Sequence, residues 1–459
     1  MSKRSYEINM TEGPLFGKIV KFSIPLALTG VLQLFYNAAD MIVVGKFGSE
    51  TALAAVGSTN ALINLIVNVF MGLSVGASVV VAKAIGAGDP EKASRAAHTA
   101  IAVSIIAGIG VGIFGFCTSR TILEWMKSPE NVIDLSALYV KIYFVGLPAT
   151  MLYNFGASIL RALGDTRRPL YFLILSGIIN IALNLLLVIV FGLDVAGVAI
   201  ATVASTTVSA TLVTLCLAKT EGCCKLSLKK LKISLKELGE ITKIGLPAGI
   251  QGSIFSISNV ILQSSVNSFG DIVMAGNSAA TSLEGFIFTT MNAVYQAALS
   301  FTGQNYGAKK FKRINRICAD CLIIVAIIGA FSTVLFHFCG EFLVSLYDSD
   351  PEVIAAGMKR NAVVVAPYFI DGAMNVMVGM IRGSGKSVTP MIITVGGICG
   401  VRIIWIYTVF AHFNTLFWLY FSYPVSWLVT LGMNAVCFAL MKKRMRKENP
   451  ECFSEAKTV

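Results

Sequence analysis

This chain has little charge and very few histidines for its length. Of its 459 residues, 14% are Asp, Glu, Lys or Arg and three are His, whereas 55% are hydrophobic and the mean hydropathy is +0.75. A soluble globular protein carries about 25% charged residues, so the composition excludes that class. It also excludes a disordered chain, because so much apolar surface cannot stay solvated. The composition therefore predicts a membrane protein.

The hydrophobic runs are long and continuous, and they lack the alternation of apolar and polar residues that barrel strands show. A bilayer core needs about 20 apolar residues per helix, and only helices or closed barrels satisfy their backbone inside it. The pattern predicts an all-α membrane protein with twelve transmembrane helices. The predicted spans are 22–44, 52–82, 96–118, 142–160, 169–191, 195–218, 244–268, 272–305, 317–339, 361–381, 388–411 and 415–440.

Lysine and arginine are distributed unevenly between alternate loops. With a cytoplasmic N-terminus, 30 of the 37 fall on the cytoplasmic side, which follows the positive-inside rule. The distribution predicts a multi-pass protein of the plasma (inner) membrane with both termini cytoplasmic. It assigns the net charge of +12 to topology rather than to nucleic-acid binding. The others are Lys46, Arg120, Lys127, Lys141, Lys359 and Arg360 outside, and Arg402 within a span.

The chain repeats itself with an offset of about 221 residues. Pro25 corresponds to Pro247, and Arg161-x-x-Gly164 corresponds to Arg382-x-x-Gly385. Each half holds six spans, so the two copies share one orientation, as in transporters built from parallel repeats with a site between two lobes. The predicted organisation is an N-lobe at 1–218, a lysine-rich cytoplasmic linker at 219–239, a C-lobe at 240–441 and a cytoplasmic tail at 442–459.

Several motifs occur in a specific order along the chain. They are Pro25, Gln33-x-x-x-Asn37-x-x-Asp40, Lys83-Ala84-Ile85-Gly86-Ala87-Gly88, Arg161-Ala162-Leu163-Gly164-Asp165-Thr166 and Asn180-Ile181-x-x-Asn184. Together they resemble the multidrug and toxic compound extrusion (MATE) family, over about residues 15 to 440. The resemblance implies two pseudo-symmetric six-helix lobes, no cofactor, and export of amphipathic, often cationic, compounds in exchange for protons or sodium ions.

Asp40 is the strongest functional candidate, because a charge at mid-bilayer costs several kcal/mol. It follows Gln33, Tyr36 and Asn37 at helical spacing, so one polar face runs along an apolar span. Its carboxylate is suited to bind a proton or to ligate sodium. The resemblance makes Asp40 the coupling acid, with Asn180 and Asn184 as partners. Asn37 shares its polar face, and Thr202 could add a hydroxyl.

Many family members have an Asp where this chain has Asn184. A single carboxylate weakens a sodium cage and leaves one titratable group, which favours proton coupling and leaves both ions open. In the second half, Leu262, Val401 and Trp405 correspond to Asp40, Asn180 and Asn184. Since the acids do not recur although the structural prolines do, we predict that the N-lobe holds the coupling site.

Three further charges lie well inside predicted spans, Glu284, Asp371 and Arg402, whereas Asp320 lies nearer the end of one. The two acids could attract a cationic substrate, or either could pair with Arg402 for stability. The sodium-coupled branch of the family uses a Glu in the seventh span, and this chain has none there, which argues against that branch's C-lobe cation site.

Aromatic and methionine side chains suit varied amphipathic guests. The candidates for a surface between the lobes are Tyr36, Met71, Tyr153, Phe255, Phe288, Met291 and Tyr295. The predicted substrate-binding set is Gln33, Tyr36, Glu284, Asp371, Arg402, Met291 and Tyr295.

Two alternatives remain at this point. A lipid-linked oligosaccharide flippase has a related architecture, but it needs several basic residues in its cavity, and only Arg402 lies within a predicted span. A membrane-embedded enzyme is the other, although no protease motif or metal-ligand spacing of histidines occurs. Nucleotide binding is not expected, because Gly383-Ser384-Gly385-Lys386-Ser387 has Met380 where the phosphate loop needs its first glycine. A monomer could hold the whole pathway.

Overall fold

The structure is a computed structural model that describes residues 6–49, 51–126 and 128–452. All regular structure in these ranges is helical, which confirms the predicted fold class. Four residues counted in the charge distribution, Lys3, Arg4, Lys127 and Lys457, lie outside the described residues, as does the end of the predicted tail. The long helices are α1 Phe16–Phe47, α2 Ala52–Gly86, α3 Pro90–Trp125, α4 Glu130–Ala162, α5 Arg167–Val190, α6 Asp194–Lys219, α7 Leu235–Asn267, α8 Asp271–Gly307, α9 Phe311–Ser345, α10 Pro351–Val364, α11 Tyr368–Gly383, α12 Val388–Phe413 and α13 Leu416–Glu448.

Ten of these helices are long and apolar enough to cross a membrane. Helices α10 and α11 join at a bend of 50°, at Val365-Ala366-Pro367, and together they make an eleventh candidate. Helix α8 has 37 residues, which is ample length, but it is not among the helices that are apolar enough by the same measure. When α10 and α11 are counted as one bent span, the thirteen helices make twelve segments, which matches the predicted count. Eleven of these segments are apolar enough to cross a membrane.

Helix starts are the least accurate part of the prediction. The fourth span was predicted to begin at 142, but α4 begins at Glu130, and the tenth was predicted to begin at 361, but α10 begins at Pro351. In both cases a proline marks the start, and Asp350 also caps α10 by accepting the backbone N–H of Glu352 at 2.9 Å. These first turns are polar, so hydropathy alone does not detect them.

The chain forms two compact units that are not the two halves of the sequence. Unit 1 comprises the residues up to Ile8 together with Leu28–Gly249, and unit 2 comprises Asn9–Ala27 together with the residues from Ile250 onward. The start of α1 thus belongs to unit 2, and the start of α7 belongs to unit 1. Each division falls two residues after the proline of the helix, Pro25 in α1 and Pro247 in α7.

The internal repeat is visible in the backbone itself. Gly164 and Gly385, 221 residues apart, both have φ of 95°. Asp194 and Asn414 are a second such pair, with φ of 48° and 44°. A positive φ is uncommon for residues other than glycine, so its recurrence in both halves shows a shared backbone path.

Within unit 1 the predicted cytoplasmic segments meet one another. Ile8 donates its N–H to Gly164 at 3.2 Å, and Lys92 pairs with Glu240 at 2.8 Å. At the other ends of the helices, Ser49 donates its hydroxyl to Asp194 at 2.7 Å. The grouping of loops in unit 1 therefore fits helices that alternate in direction, as the charge distribution requires.

Helices α2 and α7 pack closely through glycines in unit 1. Gly72 and Gly76 of α2 face Gly245 and Gly249 of α7, each pair four residues apart. A Cβ on Gly249 would lie 2.7 Å from the Cα of Val69, and a Cβ on Gly72 would overlap the backbone of Gly249. Small residues at this spacing let helix backbones approach inside a bilayer, so the glycines set the distance between α2 and α7.

We expect Gly72→Ala to destabilise the protein by about 1–3 kcal/mol, because its methyl group has no space against α7. The measurement is the melting temperature of the purified protein in detergent. Gly57→Ala on the same helix is the matched control, since a Cβ there meets nothing within 4 Å. Equal melting temperatures for the two variants would contradict the close packing of α2 and α7.

Candidate functional site

The Asp40 carboxylate joins three helices of unit 1. Its Oδ1 accepts a hydrogen bond from the amide nitrogen of Asn184 on α5, and its Oδ2 lies 3.4 Å from the hydroxyl of Thr202 on α6. Asn180, one turn before Asn184, donates to the same hydroxyl at 3.5 Å. Asn184 also donates to Asn180 at 3.3 Å. Four of the five residues predicted for cation coupling therefore lie in one polar cluster.

The cluster around Asp40 holds both hydrogen-bond donors and an unused acceptor. The hydroxyl of Thr202 has two acceptors within reach, the carbonyl of Val198 at 2.9 Å and Oδ2 of Asp40 at 3.4 Å, and its one hydrogen can serve only one of them at a time. The amide oxygen of Asn184 is buried and has no hydrogen-bond partner within the described ranges. A proton on Oδ2 of Asp40 could therefore donate to Thr202, and a cation beside Asp40 would find the Asn184 oxygen unused.

Asp40 has no basic partner in the part of the chain that the structure describes. No Lys, Arg or His nitrogen there lies within 4 Å of its carboxylate, although the side chain is half-buried. The described residues also hold no group of three His, Cys, Asp or Glu side chains that could bind a metal ion. The cluster is therefore a single carboxylate with amide and hydroxyl neighbours.

The remaining residues of the polar face on α1 have different surroundings. Tyr36 packs its ring against Gly177 of α5, where a Cβ would overlap it, and donates its hydroxyl to the carbonyl of Leu173 at 3.3 Å. Tyr36 thus joins α1 to α5. Gln33 and Asn37 are exposed, and the hydrogen bonds of Asp40 described above do not include Asn37.

Tyr139 of α4 is a neighbour of Asp40 that the sequence analysis missed. It is buried near Asp40 and packs with Val43, Val44 and Val188. The predicted fourth span began three residues after it. Recognising Pro129 as a helix start would have placed Tyr139 inside the membrane beside α1.

The backbone of α5 widens directly after Asn184. Residues Leu185–Val190 form a π-helical segment, and such segments often accompany functional sites. The corresponding part of the second half, Ile406–Phe410 in α12, is also π-helical. The widening is therefore a property of both repeats, and the polar residues before it are a property of the first alone.

In unit 2 Glu284 has a partner that the sequence analysis did not anticipate. Arg360 of α10 contacts both carboxylate oxygens of Glu284, at 2.7 and 2.8 Å, and Asn277 at 3.0 Å. Both charged side chains are buried, and Tyr423 lies 4.8 Å from the guanidinium. The suggested pairing of Glu284 with Arg402 is therefore wrong, because α10 begins earlier than predicted and carries Arg360 into the protein.

Arg402 lies on the same tyrosine. Its guanidinium is 4.2 Å from the ring centroid of Tyr423, its Nε donates to Ser426 at 3.0 Å, and it interacts electrostatically with Asp371. Asp371 is buried and accepts a hydrogen bond from Asn375 at 3.0 Å. Arg402 is thus associated with one of the two suggested acids, Asp371.

Arg382, Tyr295 and Met291 are also buried in unit 2. Arg382 donates to the hydroxyl of Tyr295 at 2.6 Å and to Gln251 at 2.9 Å, and Met291 packs against Gly372. Tyr295 and Met291 thus lie inside unit 2 rather than on the predicted substrate surface. The statement that only Arg402 lies within a span is wrong as well, because Arg360 and Arg382 are buried in helices too.

The sequence matches known proteins over most of its length. A family model described as MatE matches residues 25–186 and 247–408, one match in each half. The probable multidrug resistance protein YoeA of Bacillus subtilis (strain 168) is 28% identical over 419 residues, covering 89% of this chain and 90% of that protein. The probable multidrug resistance protein NorM of Thermotoga maritima is 25% identical over 389 residues, covering 82% of each.

The fold also matches solved structures. One is a MOP superfamily transporter from Pyrococcus furiosus, for which reverse polarity of the binding pocket is described as suggesting a different function. It has a TM-score of 0.90, covers 97% of this chain and 100% of its own, and is 22% identical. At this identity the likeness establishes the fold of both lobes.

We expect Arg360→Met to cost about 3–5 kcal/mol in stability, because it leaves Glu284 as an unpaired buried charge. The double variant with Glu284→Gln should lose less than the sum of the two single losses. Melting temperatures in detergent measure both effects. Arg120→Met is the control, since Arg120 is exposed and its pairs with Glu124 and Asp134 contribute little. An Arg360→Met variant as stable as the control would show that the buried pair is not needed.

Proposed function

Because this chain belongs to the MatE family and is an integral multi-pass membrane protein, we propose that it exports amphipathic, often cationic, organic compounds in exchange for an inward-moving cation. Two relatives over most of its length are named as probable multidrug resistance proteins, which supports drug export. Export needs no cofactor. The proposed location is the plasma (inner) membrane, with both termini cytoplasmic and one chain holding the pathway.

The observation that carries the coupling proposal is that no basic side chain of the described residues neutralises Asp40. Among the described acids in the middle of the helices, Glu284 is neutralised by Arg360 and Asp371 interacts with Arg402. Asp40 instead has amide and hydroxyl neighbours, so its charge can be balanced by a cation that comes and goes. We propose that Asp40, Asn180, Asn184 and Thr202 form the coupling site, with Asn37 one turn away.

Export is coupled to the cation if the protein prefers to open to one side of the membrane when the site at Asp40 holds a cation and to the other side when the site is empty. Binding of the cation removes the cost of an unpaired carboxylate, and it shifts the equilibrium toward whichever state holds the cation better. A substrate that prefers the other state is then exchanged against the cation, because the two binding free energies are linked. Neutralising Asp40 permanently would remove this linkage.

We propose a proton as the coupling ion and keep sodium as the alternative. When Thr202 donates to the carbonyl of Val198, its oxygen could accept a hydrogen bond from protonated Asp40, which supports this choice. The unused oxygen of Asn184 could also ligate sodium. A site with one carboxylate has a single negative charge, however, and therefore binds sodium more weakly than a site with two.

The substrate would meet charges of both signs in unit 2. Asp371 is the acid best suited to a cationic group, because Arg360 already occupies both oxygens of Glu284. Arg402, Gln33 and Tyr36 remain proposed contacts. Tyr295 and Met291 would reach a substrate only if the helices around them rearrange.

The flippase alternative does not gain from the additional buried arginines. A pyrophosphate needs free N–H groups, and Arg360 and Arg382 direct theirs to protein acceptors. A membrane-embedded enzyme is the alternative from another class, and a chemical change in any transported compound would favour it.

We expect Asp40→Asn to abolish energy-dependent export, since an amide can neither bind the proton nor balance a cation. The measurement is efflux of a fluorescent cationic dye from cells that lack their own pumps, at matched membrane expression. Asp134→Asn, an equal change at an exposed acid of unit 1, should retain export. Full coupled efflux by Asp40→Asn would move the coupling site elsewhere.

If the coupling ion is a proton, the ion dependence of efflux should differ between the wild type and Asn184→Asp. Wild-type efflux should collapse with a protonophore and tolerate replacement of sodium, whereas Asn184→Asp should gain sodium dependence from the second carboxylate. Asn375→Asp is the matched control, because Asn375 donates to Asp371 as Asn184 does to Asp40. Loss of wild-type efflux on sodium replacement alone would assign the coupling to sodium.

A further inference from the structure

Two adjacent cysteines occupy a tight turn between α6 and α7. The N–H of Lys225 donates to the carbonyl of Gly222 at 3.3 Å, so Cys223 and Cys224 are the central residues of a four-residue turn. Gly222 has φ of 123°, and the N–H of Leu226 returns to the carbonyl of Leu217 at 3.0 Å. The turn is therefore fixed at the end of α6.

The turn places both thiols side by side. The two sulfur atoms lie 3.8 Å apart, with Cys224 buried against the carbonyl of Ala93 and Cys223 partly exposed. A disulfide requires about 2.05 Å, so the thiols are separate. One atom bonded to both sulfurs could span such a gap with less movement than a direct bond would need.

Hydrogen bonds to α3 hold the loop that carries the two cysteines in place. The N–H of Ser227 donates to the buried imidazole of His98 at 3.1 Å, and the N–H of Ser234 donates to Thr99 at 3.1 Å. Both partners belong to α3. A pair that is already oriented loses little conformational entropy when it binds, which favours capture of a ligand.

Cys223 is also the more reactive of the two. The thiol of Cys224 donates to Cys223 and lowers the pKa of Cys223 to about 7, whereas the same contact and burial raise the pKa of Cys224. The thiolate is the nucleophile, so attack would begin at the exposed sulfur near neutral pH. Cys224 would follow as the second sulfur.

The surroundings select against metal cations. The linker carries several lysines and no third ligand joins the two sulfurs, since no group of three metal-binding side chains occurs in the described ranges. The lysines are Lys219, Lys225, Lys229, Lys230, Lys232 and Lys236. A positively charged loop repels divalent cations and accepts a neutral electrophile that needs two sulfurs only.

We propose that Cys223 and Cys224 form a dithiol site that captures trivalent arsenicals. An organoarsenous acid carries two As–OH groups. The Cys223 sulfur displaces one and the Cys224 sulfur displaces the other. Two As–S bonds form, two As–O bonds break, and the two hydroxyls leave as water with the two thiol protons. Arsenic stays trivalent, so no oxidant takes part, and the site is independent of the proposed export.

The test is binding of phenylarsine oxide to the purified full-length chain, measured by intact mass spectrometry after washing with 2-mercaptoethanol. A monothiol removes arsenic from single cysteines such as exposed Cys117 and Cys339, and a dithiol bridge resists it. We expect one resistant phenylarsenic group per chain, released by dithiothreitol. Peptide mapping of the wild type should place it on residues 223 and 224.

Cysteine variants test whether the resistant phenylarsenic group is bound to Cys223 and Cys224. Cys223→Ser and Cys224→Ser should each lose the resistant group. The double variant Cys318→Ser and Cys321→Ser should keep it, since these two are the other closely spaced cysteines and are buried on α9. A resistant group that persists in Cys223→Ser, that maps elsewhere in the wild type, or that never forms would overturn the proposal.

Discussion

A charge inside a hydrocarbon layer must find a partner of opposite sign or be able to lose its charge, and this constraint organises the interior of the protein. Glu284 takes the first course, because Arg360 contacts both of its oxygens in a buried site. Asp371 and Arg402 interact more loosely across the region around Tyr423. Asp40 has no basic partner among the described residues, since its neighbours are amides and a hydroxyl, so the second course is the one left to it. A protein keeps such a carboxylate at the cost of stability, so its retention points to an exchangeable cation.

The two repeats separate what the scaffold needs from what coupling needs. Gly164 and Gly385 share one backbone conformation, and the helices after them both contain π-helical segments. The side chains at the same places differ, because Asn184 precedes the segment in α5 and Trp405 precedes it in α12. A widened helix by itself therefore does not mark an ion site here. The proposed coupling would instead depend on the polar side chains that only the first repeat places beside Asp40.

Much of the site was accessible from the sequence, because intramembrane acids are few and helical spacing relates them. The family resemblance placed Asn180 and Asn184 beside Asp40, and their spacing of four residues put them on one helix face, which agrees with the hydrogen bonds. Tyr139 and Arg360 were missed for one common reason. Each lies in the polar first turns of a helix, at Pro129 or Pro351, that hydropathy excludes from the span. Hydropathy measures transfer into lipid, whereas these side chains are buried in protein, where a tyrosine or a paired arginine is accommodated.

The close packing of α2 on α7 explains why the start of α7 belongs to unit 1. Gly72 and Gly249 leave no space for a methyl group, so the start of α7 is held to unit 1 while the rest of α7 belongs to unit 2. This boundary at Gly249 lies two residues after Pro247. A proline removes one backbone hydrogen bond from the helix and lowers the cost of bending there. The same holds for α1 at Pro25, so each of these two helices has a proline two residues before it passes from one unit to the other.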